Sequence, residues 1–470
     1  MSETNKDTIA PTNAEATIAA IATPPGPGGI GIIRISGSQS LSILSKIFSP
    51  SISPKSFVSH RLYYGWIKNP ASDLTIDEVL AVFMRAPRTY TREDVVEIQC
   101  HGSFLVLQEI LALIINLGAA PAEPGEFTKR AFLNGRIDLT QAEAVIDLLQ
   151  AKTSESLGIA MSQLQGRMGD LVSTIRSSLI NLRAIIEVAI DFPDDDVEII
   201  RADVMGRQLE DEIVFPLRKL IQSAGQGKIF RDGISVIILG QPNVGKSSLL
   251  NALLKEDRAI VTAVPGTTRD TIEELLDIKG IPVRIVDTAG IRDNAEEVEE
   301  IGIERARRKL AKADVVLLLV DGTLPPQMAD IKLYESVGQK KKLLLINKID
   351  IAEPAHSLFT QAFPGINPVS ISAKTHAGIQ DLEDGLFHLV TGVSHWDPGH
   401  TCIPNVRHRT SLEKALVSCE NVATGLQTGL PPDLLAIELQ SALDYLGDII
   451  GETTTEDILD VIFEQFCIGK

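Results

Sequence analysis

The chain has 470 residues, a formal net charge of −18 and an apolar fraction of 44%. This length is too great for one hydrophobic core and predicts about three domains, and the apolar fraction excludes a wholly disordered chain. The acidic charge argues against broad, nonspecific nucleic-acid binding, which needs an excess of Lys and Arg, although a local basic patch or a partner that carries nucleic acid stays open.

Targeting and redox signals are absent from the sequence. No apolar run approaches the ~20 residues of a membrane span, and residues 1–13 carry neither a signal-peptide core nor an Arg-rich transit pattern. The cysteines at 100, 402, 419 and 467 form no C-x-x-C pair, which indicates neither a disulfide framework nor a zinc site. We expect three of them to be buried, and we expect a cytoplasmic protein with no membrane contact.

The first part of the chain alternates short apolar runs with turn signals, which predicts an α+β domain over residues 1–135. The predicted strands, followed by a helix, are Thr17–Ala22, Gly31–Ser36, Leu62–Ile67, Val79–Arg85, Asp94–Cys100 and the helix Phe104–Leu117. The run Gly26–Gly31 matches G-x-G-x-x-G but leads into a strand pattern. It therefore favours a glycine-rich hairpin or a ligand-contacting loop over a dinucleotide site.

From Asp138 the apolar period becomes helical, with a capping box proposed at Thr140 and Glu143. Steps of three and four, broken only at Ser178, predict an apolar stripe in the core of a helix bundle. The stripe residues are Leu157, Met161, Leu164, Met168, Leu171, Ile175, Leu182 and Ile185.

The acidic, proline-containing run Asp191–Asp196 is expected to break this helix, and Val197–Ala224 to resume it. Gly225 and Gly227 then suggest a boundary, which places the first part of a helical domain at 136–225.

Residues 233–391 alternate nearly continuous apolar strands with helices, a pattern typical of a parallel sheet covered on both faces. The strand candidates are Ile234–Leu239, Pro282–Val286, Val315–Val320, Lys342–Ile346 and Pro368–Ile371. Residues 395–470 return to helical periodicity. We expect them to complete the helical domain that the strand–helix unit interrupts.

The segment Gly240–Ser248 has the spacing G-x-x-x-x-G-K-S between a predicted strand and a predicted helix. Its glycines allow the backbone to curl around a polyphosphate, and the helix adds the positive end of its dipole. Lys246 is expected to reach the β- and γ-phosphates and Ser247 to bind Mg²⁺. The nucleotide-binding residues predicted in this loop are Asn243, Val244, Gly245, Lys246, Ser247 and Ser248.

Further motifs follow in order at predicted strand ends, and together they indicate GTP. The aspartate of D-T-A-G meets Mg²⁺ through water and its glycine senses the γ-phosphate. The aspartate of N-K-I-D accepts two hydrogen bonds from the guanine edge, and S-A-K places backbone N–H groups on the guanine carbonyl. A switch threonine is expected within Gly266–Asp270. The residues of the first three motifs are Asp287, Thr288, Ala289, Gly290, Asn347, Lys348, Ile349, Asp350, Ser372, Ala373 and Lys374.

The position after D-T-A-G is Ile291, where Ras-like enzymes carry the glutamine that orients the attacking water. Isoleucine cannot do this, so another residue must. The acidic stretch Asp293–Glu300 supplies candidates, although most of its carboxylates fit a solvated helix start.

Several segments resemble the MnmE (TrmE) family of tRNA wobble-uridine modification GTPases. They are Thr23–Gly26, Glu97–Gly102, Pro124–Asn134, Asp138–Glu143 and Phe466–Lys470, together with the G-domain and the split helical domain. The resemblance runs from about Ala22 to Lys470. It implies a multidomain α/β and α+β fold with an N-terminal folate-binding-like domain, a discontinuous helical domain and an inserted Ras-like P-loop G-domain with a mostly parallel sheet.

The resemblance also implies roles in hydrolysis. Glu299 matches the family glutamate that orients the hydrolytic water through a bridging water. Asn243 matches an asparagine that binds K⁺, which takes the place of an arginine finger. The loop over the nucleotide comprises Thr262, Ala263, Val264, Pro265, Gly266, Thr267 and Thr268. In it, Thr262, Val264 and Thr267 give further oxygens to K⁺, and Thr268 joins Ser247 on Mg²⁺.

In the N-terminal domain the resemblance implies a site for 5-formyl-tetrahydrofolate or a related one-carbon folate. The matching positions are Arg34, Glu97, Arg136 and Lys470. Without the resemblance, Arg34 and Glu97 fit an exposed strand ion pair. Cys467 matches a family cysteine and is a catalytic candidate, with a buried core residue as the alternative. Gly102-Ser103 departs from the Gly-Gly expected there.

The implied function is GTP hydrolysis, stimulated by K⁺, that drives addition of a carboxymethylaminomethyl-type group to the wobble uridine of certain tRNAs. The implied partners are a second copy in a homodimer, a FAD-containing MnmG (GidA) type protein that completes a heterotetramer, and tRNA. A ribosome-assembly GTPase, and a folate-binding scaffold with a regulatory GTPase, stay open as alternatives.

Overall fold

The structure is a computed structural model that describes residues 16–52, 54–192, 201–255, 274–286, 310, 313–392 and 402–470. The chain forms two compact units. The first consists of Met1–Ile146 with Gly447–Lys470, and the second of Asp147–Leu446.

The first unit contains a seven-stranded sheet in the order β3-β4-β5-β6-β2-β1-β7. Its strands are β1 (Ile18–Ile21), β2 (Gly28–Ser36), β3 (Phe48–Pro50), β4 (Arg61–Lys68), β5 (Thr75–Met84), β6 (Val95–Gly102) and β7 (Ala120–Pro121). Neighbouring strands are antiparallel except β1 and β7, which are parallel. The glycine-rich run enters β2 and not a helix, as its sequence context predicts.

In the described part of the first unit, five helices accompany this sheet: α1 (Ser40–Ile47), α2 (Phe104–Asn116), α3 (Glu126–Leu133), α4 (Leu139–Gln150) and α15 (Glu456–Phe463). Alternate residues of β2 and β6, such as Ile33 and Ile98, are fully buried in one core with Ile110 and Ile114 of α2. Each such buried side chain contributes roughly 1.5–3 kcal/mol, so this packing fixes the register of the two strands.

The segment after Gly447 completes the first unit. Residues Leu459, Ile462, Phe463 and Phe466 form an apolar cluster with Leu139 and Ala142 of α4. The Lys470 carbonyl accepts a hydrogen bond of 3.2 Å from the Phe127 N–H. Two helical segments that are distant in the sequence therefore share one hydrophobic core.

The cap of α4 differs from the prediction. Asp138 Oδ1 accepts from the Gln141 N–H at 2.9 Å, and Gln141 Oε1 accepts from the Asp138 N–H at 3.0 Å. The box predicted at Thr140 and Glu143 is wrong by two positions, because Asp138 precedes the first helical residue and Thr140 already lies inside the helix.

The helical part of the second unit comprises α5 (Ser154–Leu164), α6 (Arg167–Asp191), α7 (Ala202–Leu209), a π-helical turn (Glu210–Val214), α8 (Phe215–Asp232), α13 (Val406–Thr428) and α14 (Pro432–Ile450). The predicted stripe is only partly buried: Met168, Ile175 and Leu182 are buried, but Leu157, Met161 and Leu171 are exposed. Gly166 at φ +89° ends α5 and restarts the helix, so the buried face shifts there.

Gly225 and Gly227 do not interrupt helix α8, which continues through both residues and ends before Gly233. Gly227 is buried where a Cβ would overlap the Ile403 side chain. This glycine allows close packing, and the helix does not end at it. The four-part division of the chain stays a prediction.

The remainder of the second unit is a six-stranded sheet in the order β13-β12-β11-β8-β10-β9. Its strands are β8 (Ile234–Leu239), β9 (Glu274–Ile278), β10 (Ile281–Ile285), β11 (Val315–Asp321), β12 (Lys341–Asn347) and β13 (Val369–Ser370), and its helices are α9 (Lys246–Lys255), α10 (Met328–Val337), α11 (His356–Ala362) and α12 (Ile379–Thr391). All pairs are parallel except β9 with β10. The predicted fold class is confirmed.

Across the described residues, no helix combines the length and the apolar character that a membrane crossing requires.

Candidate GTP site and a second site in the first unit

The phosphate loop lies between the end of β8 and the start of α9. Asn243 has φ +61° and Gly245 has φ +103°, so the backbone turns sharply before Lys246. A Cβ on Gly240 would collide with the Leu319 carbonyl, and one on Gly245 with the Asn347 amide. Glycine is therefore required at both positions, and a curled loop of this kind can present successive N–H groups to an anion.

Lys246 lies across this loop. Its Nζ donates to the carbonyl oxygens of Gly240 and Gln241 at 2.9 and 2.8 Å. Burial lowers the pKa of Lys246 from its usual value. Both acceptors are neutral, and among the described residues no carboxylate pairs with this ammonium. Its charge is thus available to a phosphate, which fits a bound nucleoside triphosphate.

Asn347 connects the two loops of the nucleotide site. Its Nδ2 donates to the Val244 carbonyl at 2.7 Å, and its Oδ1 accepts from the Ala373 N–H at 3.0 Å. The N-K-I-D loop, the S-A-K loop and the phosphate loop are thereby held at the carboxyl edge of the sheet, where ligands bind in open α/β folds.

The base-reading side of the site is also prearranged. Ser372 Oγ donates to Asp350 Oδ1 at 2.7 Å, which orients the carboxylate predicted to read guanine. A cavity of about 420 Å³ lies here, large enough for a base and a sugar. Its lining includes Asn243, Gly245, Ser248, Asn347, Asp350 and Lys374.

Lys348 has φ +71°, a strained conformation for a residue with a side chain. Its Nζ lies 2.6 Å from Asp321 Oδ2 at the end of β11. Burial alone would raise the pKa of Asp321, but hydrogen bonds from Lys348 and Thr323 hold it below its usual value. This ion pair fixes the turn that carries Asp350.

The other predicted parts of the GTP site lie outside the described residues. They are Thr262, Ala263, Val264, Pro265, Gly266, Thr267, Thr268, Asp287, Thr288, Ala289, Gly290 and Glu299. Their roles stay predictions, as does the inference that a residue other than Ile291 orients the attacking water. Ser247 is the second residue of α9, and its assignment to Mg²⁺ likewise stays a prediction.

In the first unit, Arg34 and Glu97 face each other on β2 and β6. Arg34 Nε and Nη2 each lie 2.9 Å from Glu97 Oε1. The alternative of a strand ion pair is therefore correct as to the pair, but the side chains are 18% and 20% exposed, so the pair is partly buried.

Two aromatic residues join this pair to the other predicted folate positions. The Arg34 guanidinium lies 5.5 Å from the Tyr90 ring centre and 5.6 Å from that of Phe127. Arg136 lies 4.6 Å from the same Tyr90 ring and donates to the Tyr90 carbonyl at 3.1 Å. The Phe127 N–H in turn donates a hydrogen bond to the Lys470 carbonyl. The structure thus brings Arg34, Glu97, Arg136 and Lys470 together around Tyr90 and Phe127.

Known proteins with a similar sequence decide the family. The family model described as MnmE helical domain matches residues 139–467, and the one described as GTP-binding protein TrmE N-terminus matches residues 17–136. A tRNA modification GTPase MnmE of Desulfotalea psychrophila is 51% identical over 460 residues, which cover 97% of this chain and 98% of that protein. The chain belongs to the MnmE family.

Other relatives agree. A tRNA modification GTPase MnmE of Carboxydothermus hydrogenoformans is 46% identical over 460 residues, which cover 97% of this chain and 100% of that protein. Among solved structures, Aquifex aeolicus Era Y63A bound to GDP·AlF4⁻ is 25% identical with a TM-score of 0.27, and the match covers 39% of this chain and 66% of that one. A TM-score this low does not establish a shared fold.

As a member of the MnmE family, the chain is a GTPase that acts in tRNA modification, with GTP as substrate and the Mg²⁺ dependence general to such enzymes. The described phosphate loop and guanine loop have an arrangement that fits binding of GTP.

Three residues of these sites were missed from the sequence. Asp321 directly follows the apolar run Val315–Val320, so its position at a strand end was a usable signal. Tyr90 lies in a segment without a local pattern. Phe127 lies in Pro124–Asn134, a segment that carries the family resemblance, but its contact with Arg34 was not predicted. Cys467 has an exposed side chain, which rules out the buried core alternative for it.

Proposed function

We propose that K⁺-stimulated GTP hydrolysis by this chain drives the addition of a carboxymethylaminomethyl-type group to the wobble uridine of certain tRNAs. A FAD-containing MnmG (GidA) type partner shares this reaction. The observation that carries the proposal is the convergence of Arg34, Glu97, Arg136 and Lys470 in a unit that accompanies a GTP site. A GTPase that only switched a binding partner would not need this second constellation.

The residues in the first unit fit a one-carbon folate. Tyr90 is partly exposed and offers an aromatic ring to a flat pterin, with Arg34 and Arg136 against that ring. Phe127 is fully buried and supports Arg34 from the core side. Arg136 is exposed and has room for a carboxylate of the glutamate tail. A bound 5-formyl-tetrahydrofolate or related folate would supply the one-carbon unit, and Glu97 would accept hydrogen bonds from the ring.

Support for K⁺ comes from the phosphate loop. Asn243 lines the nucleotide cavity in a left-handed conformation, which turns this residue toward the ligand side of the loop. An amide oxygen there suits a monovalent cation, which would add positive charge where Ras-like proteins receive an arginine finger. Thr262, Val264 and Thr267 would complete the cation's ligands, Ser247 and Thr268 would hold Mg²⁺, and Glu299 would orient water.

The proposed assembly is a homodimer joined through the first unit, to which the MnmG type partner adds to form a heterotetramer. The outer face of β4 and β5 supports the homodimer, since Leu62, Tyr64 and Leu80 are exposed side by side on it. We place the protein in the cytoplasm, in keeping with its four free cysteines.

The deciding experiment is mass spectrometry of tRNA nucleosides from cells that lack the protein, complemented with wild type, Arg136→Gln or Arg409→Gln. Arg409 is an exposed arginine on α13 and serves as the charge-matched control. Wild type and Arg409→Gln should restore the modified wobble uridine, and Arg136→Gln should not. Normal wobble uridines in the deletion cells would reject the function. Ribosome co-sedimentation that depends on GTP would then indicate the assembly role instead.

A second measurement addresses the cation. GTP turnover at equal ionic strength should be faster in K⁺ than in Na⁺, and Asn243→Ala should remove the difference. Equal rates for the wild type would reject the K⁺ mechanism. Unchanged turnover in Glu299→Ala would remove the water-orienting role of that residue.

A further inference from the structure

Four exposed arginines of the first unit, Arg61, Arg85, Arg88 and Arg92, form what is called here the basic ridge. Within the described part of the chain none of them pairs with a carboxylate. Two exposed arginines elsewhere, Arg207 and Arg409, each hold an acidic partner. In a chain of net charge −18, this group of unpaired guanidinium groups is unusual.

Contacts hold the ridge together. Arg61 lies opposite Phe83 in the pairing of β4 with β5, and Arg85 follows two residues after Phe83. The Arg85 N–H donates to Ser59 Oγ at 2.9 Å, and His60 Nε2 lies 3.0 Å from the Arg88 carbonyl. The loop before β4 and the loop after β5 are therefore joined at one end of the sheet.

The guanidinium groups are also partly preorganised. Arg61 lies 5.8 Å from the Tyr63 ring centre and Arg85 lies 5.9 Å from that of Phe83. Such stacking limits the rotamers of the side chain while leaving the N–H groups free to donate outward.

The far end of the ridge meets the proposed folate site. Arg92 Nη1 donates to the Asn134 carbonyl at 2.8 Å, and two residues later Arg136 contacts Tyr90. The ridge thus leads along the surface to the aromatic ring that lies between Arg34 and Arg136.

Neighbouring acidic residues do not neutralise the ridge by pairing with it. Both oxygens of Glu93 bond the buried Arg130, and Asp94 Oδ1 accepts from the Ala86 N–H at 2.9 Å. The field of the ridge is therefore directed to solvent.

We propose that the basic ridge binds the phosphate backbone of the tRNA substrate and so brings the nucleotide to be modified to the Tyr90 and Arg136 end. A small anion needs donors that converge on one point, whereas these four side chains come from β4 and from separate positions between β5 and β6 and contact different neighbours, which suits successive phosphates. Because the rest of the chain is acidic, backbone contacts depend on a local patch of this kind. The inference rests on the proposed function and adds the surface through which it acts.

The test uses the double variant Arg85→Gln/Arg88→Gln of the full chain, since neither residue touches the GTP or folate residues. Binding of the substrate tRNA is measured by fluorescence anisotropy over a series of salt concentrations. We expect roughly 10-fold weaker binding and a salt slope smaller by about 1–2, the result of losing two phosphate contacts. The matched control is Arg207→Gln/Arg409→Gln, which removes the same charge elsewhere and should bind as wild type.

Unchanged basal GTP turnover and unchanged urea midpoint show that the ridge variant folds normally. Equal tRNA affinity of the ridge variant and the wild type would overturn the proposal, as would equal weakening in the control or no tRNA binding by the wild type. If the deletion cells lack the modified nucleoside but the ridge variant binds tRNA normally, the proposal for the ridge is rejected and the proposed function is retained. If the deletion cells have normal wobble uridines, the proposed function itself is rejected.

Discussion

Asn347 Nδ2 donates a 2.7 Å hydrogen bond to the Val244 carbonyl, which joins the guanine-reading loop to the phosphate loop. The side chain is 2% exposed, so water cannot replace this bond when it is lost. Base recognition and phosphate binding therefore depend on one buried amide.

Replacing Asn347 by Ala should weaken GTP binding about 10- to 100-fold, because the Val244 carbonyl and the Ala373 N–H each lose a buried partner at a cost of roughly 1–3 kcal/mol. Titration with a fluorescent GTP analogue measures the change. Asn251→Ala is the matched control, since Asn251 lines the same cavity but is exposed. A similar loss in both variants would show that the bridge has no special role.

The pair of Asp321 and Lys348 predicts a pH dependence. The pKa of Asp321 is lowered in the folded chain, so its contribution to stability is complete above the ordinary value of 3.8 and is lost as the pH falls through the lower, folded value. Asp321→Asn should lower the free energy of unfolding by about 1–2 kcal/mol from pH 5 to 8. The difference from wild type should narrow below about pH 4.

Urea unfolding at a series of pH values checks this expectation. Lys348→Met should reproduce both the loss and its pH dependence, while Lys332→Met, an exposed lysine on α10, should change little. A difference between Asp321→Asn and wild type that stays constant down to pH 3 would contradict the assignment.

Two glycines of α8 should respond in opposite ways to alanine. Nothing lies within 4 Å of a Cβ at Gly225, so Gly225→Ala should raise the free energy of unfolding by up to about 1 kcal/mol through helix propensity. Gly227→Ala should lower it by about 1–3 kcal/mol, because the methyl group would overlap Ile403. Urea midpoints of the two variants give the answer, and equal shifts would show that Ile403 moves aside freely.

The cysteines should differ in reactivity. Burial raises the pKa of Cys419 and of Cys402 to about 12, and burial together with the charge of Asp77 raises that of Cys100 to about 11. At pH 8 a thiol reagent should therefore modify the exposed Cys467 first. Cys467→Ser should abolish the fast phase and Cys419→Ser should keep it. A fast phase that survives in Cys467→Ser would place the reactive thiol elsewhere.

Local patterns predicted the elements that carry the GTP site. The bounds of β8 agree with the sequence because the apolar run lies between Gly233 and Gly240. A Cβ on either glycine would collide with a backbone carbonyl, that of Pro282 or of Leu319. Short elements such as β3 and β7 gave no such signal. They are two or three residues long, and they form strands because of the strands that they pair with, not because of a local sequence pattern.

Long-range contacts account for most of what the sequence did not show. Leu157 is exposed because, in the part of the chain that the structure describes, no neighbouring helix packs over its side of α5, which its own sequence does not reveal. The helix break at Gly166 is also hidden, since it leaves the spacing of the apolar residues unchanged. The meeting of Phe127 with Lys470 involves residues far apart in the chain, so it was accessible only through the family resemblance. Asp321 was the exception, because a strand end is a local feature.

The division of the first unit into Met1–Ile146 and Gly447–Lys470 has a consequence for biosynthesis. The ribosome must add the whole second unit before α15 emerges, which takes roughly 15–60 s at typical rates of synthesis. During this time Leu139 and Ala142 lack their cover from Phe463 and Phe466. The nascent first unit therefore leaves an apolar face of α4 exposed to solvent and to chaperones. The second unit has time to fold before the first unit is complete.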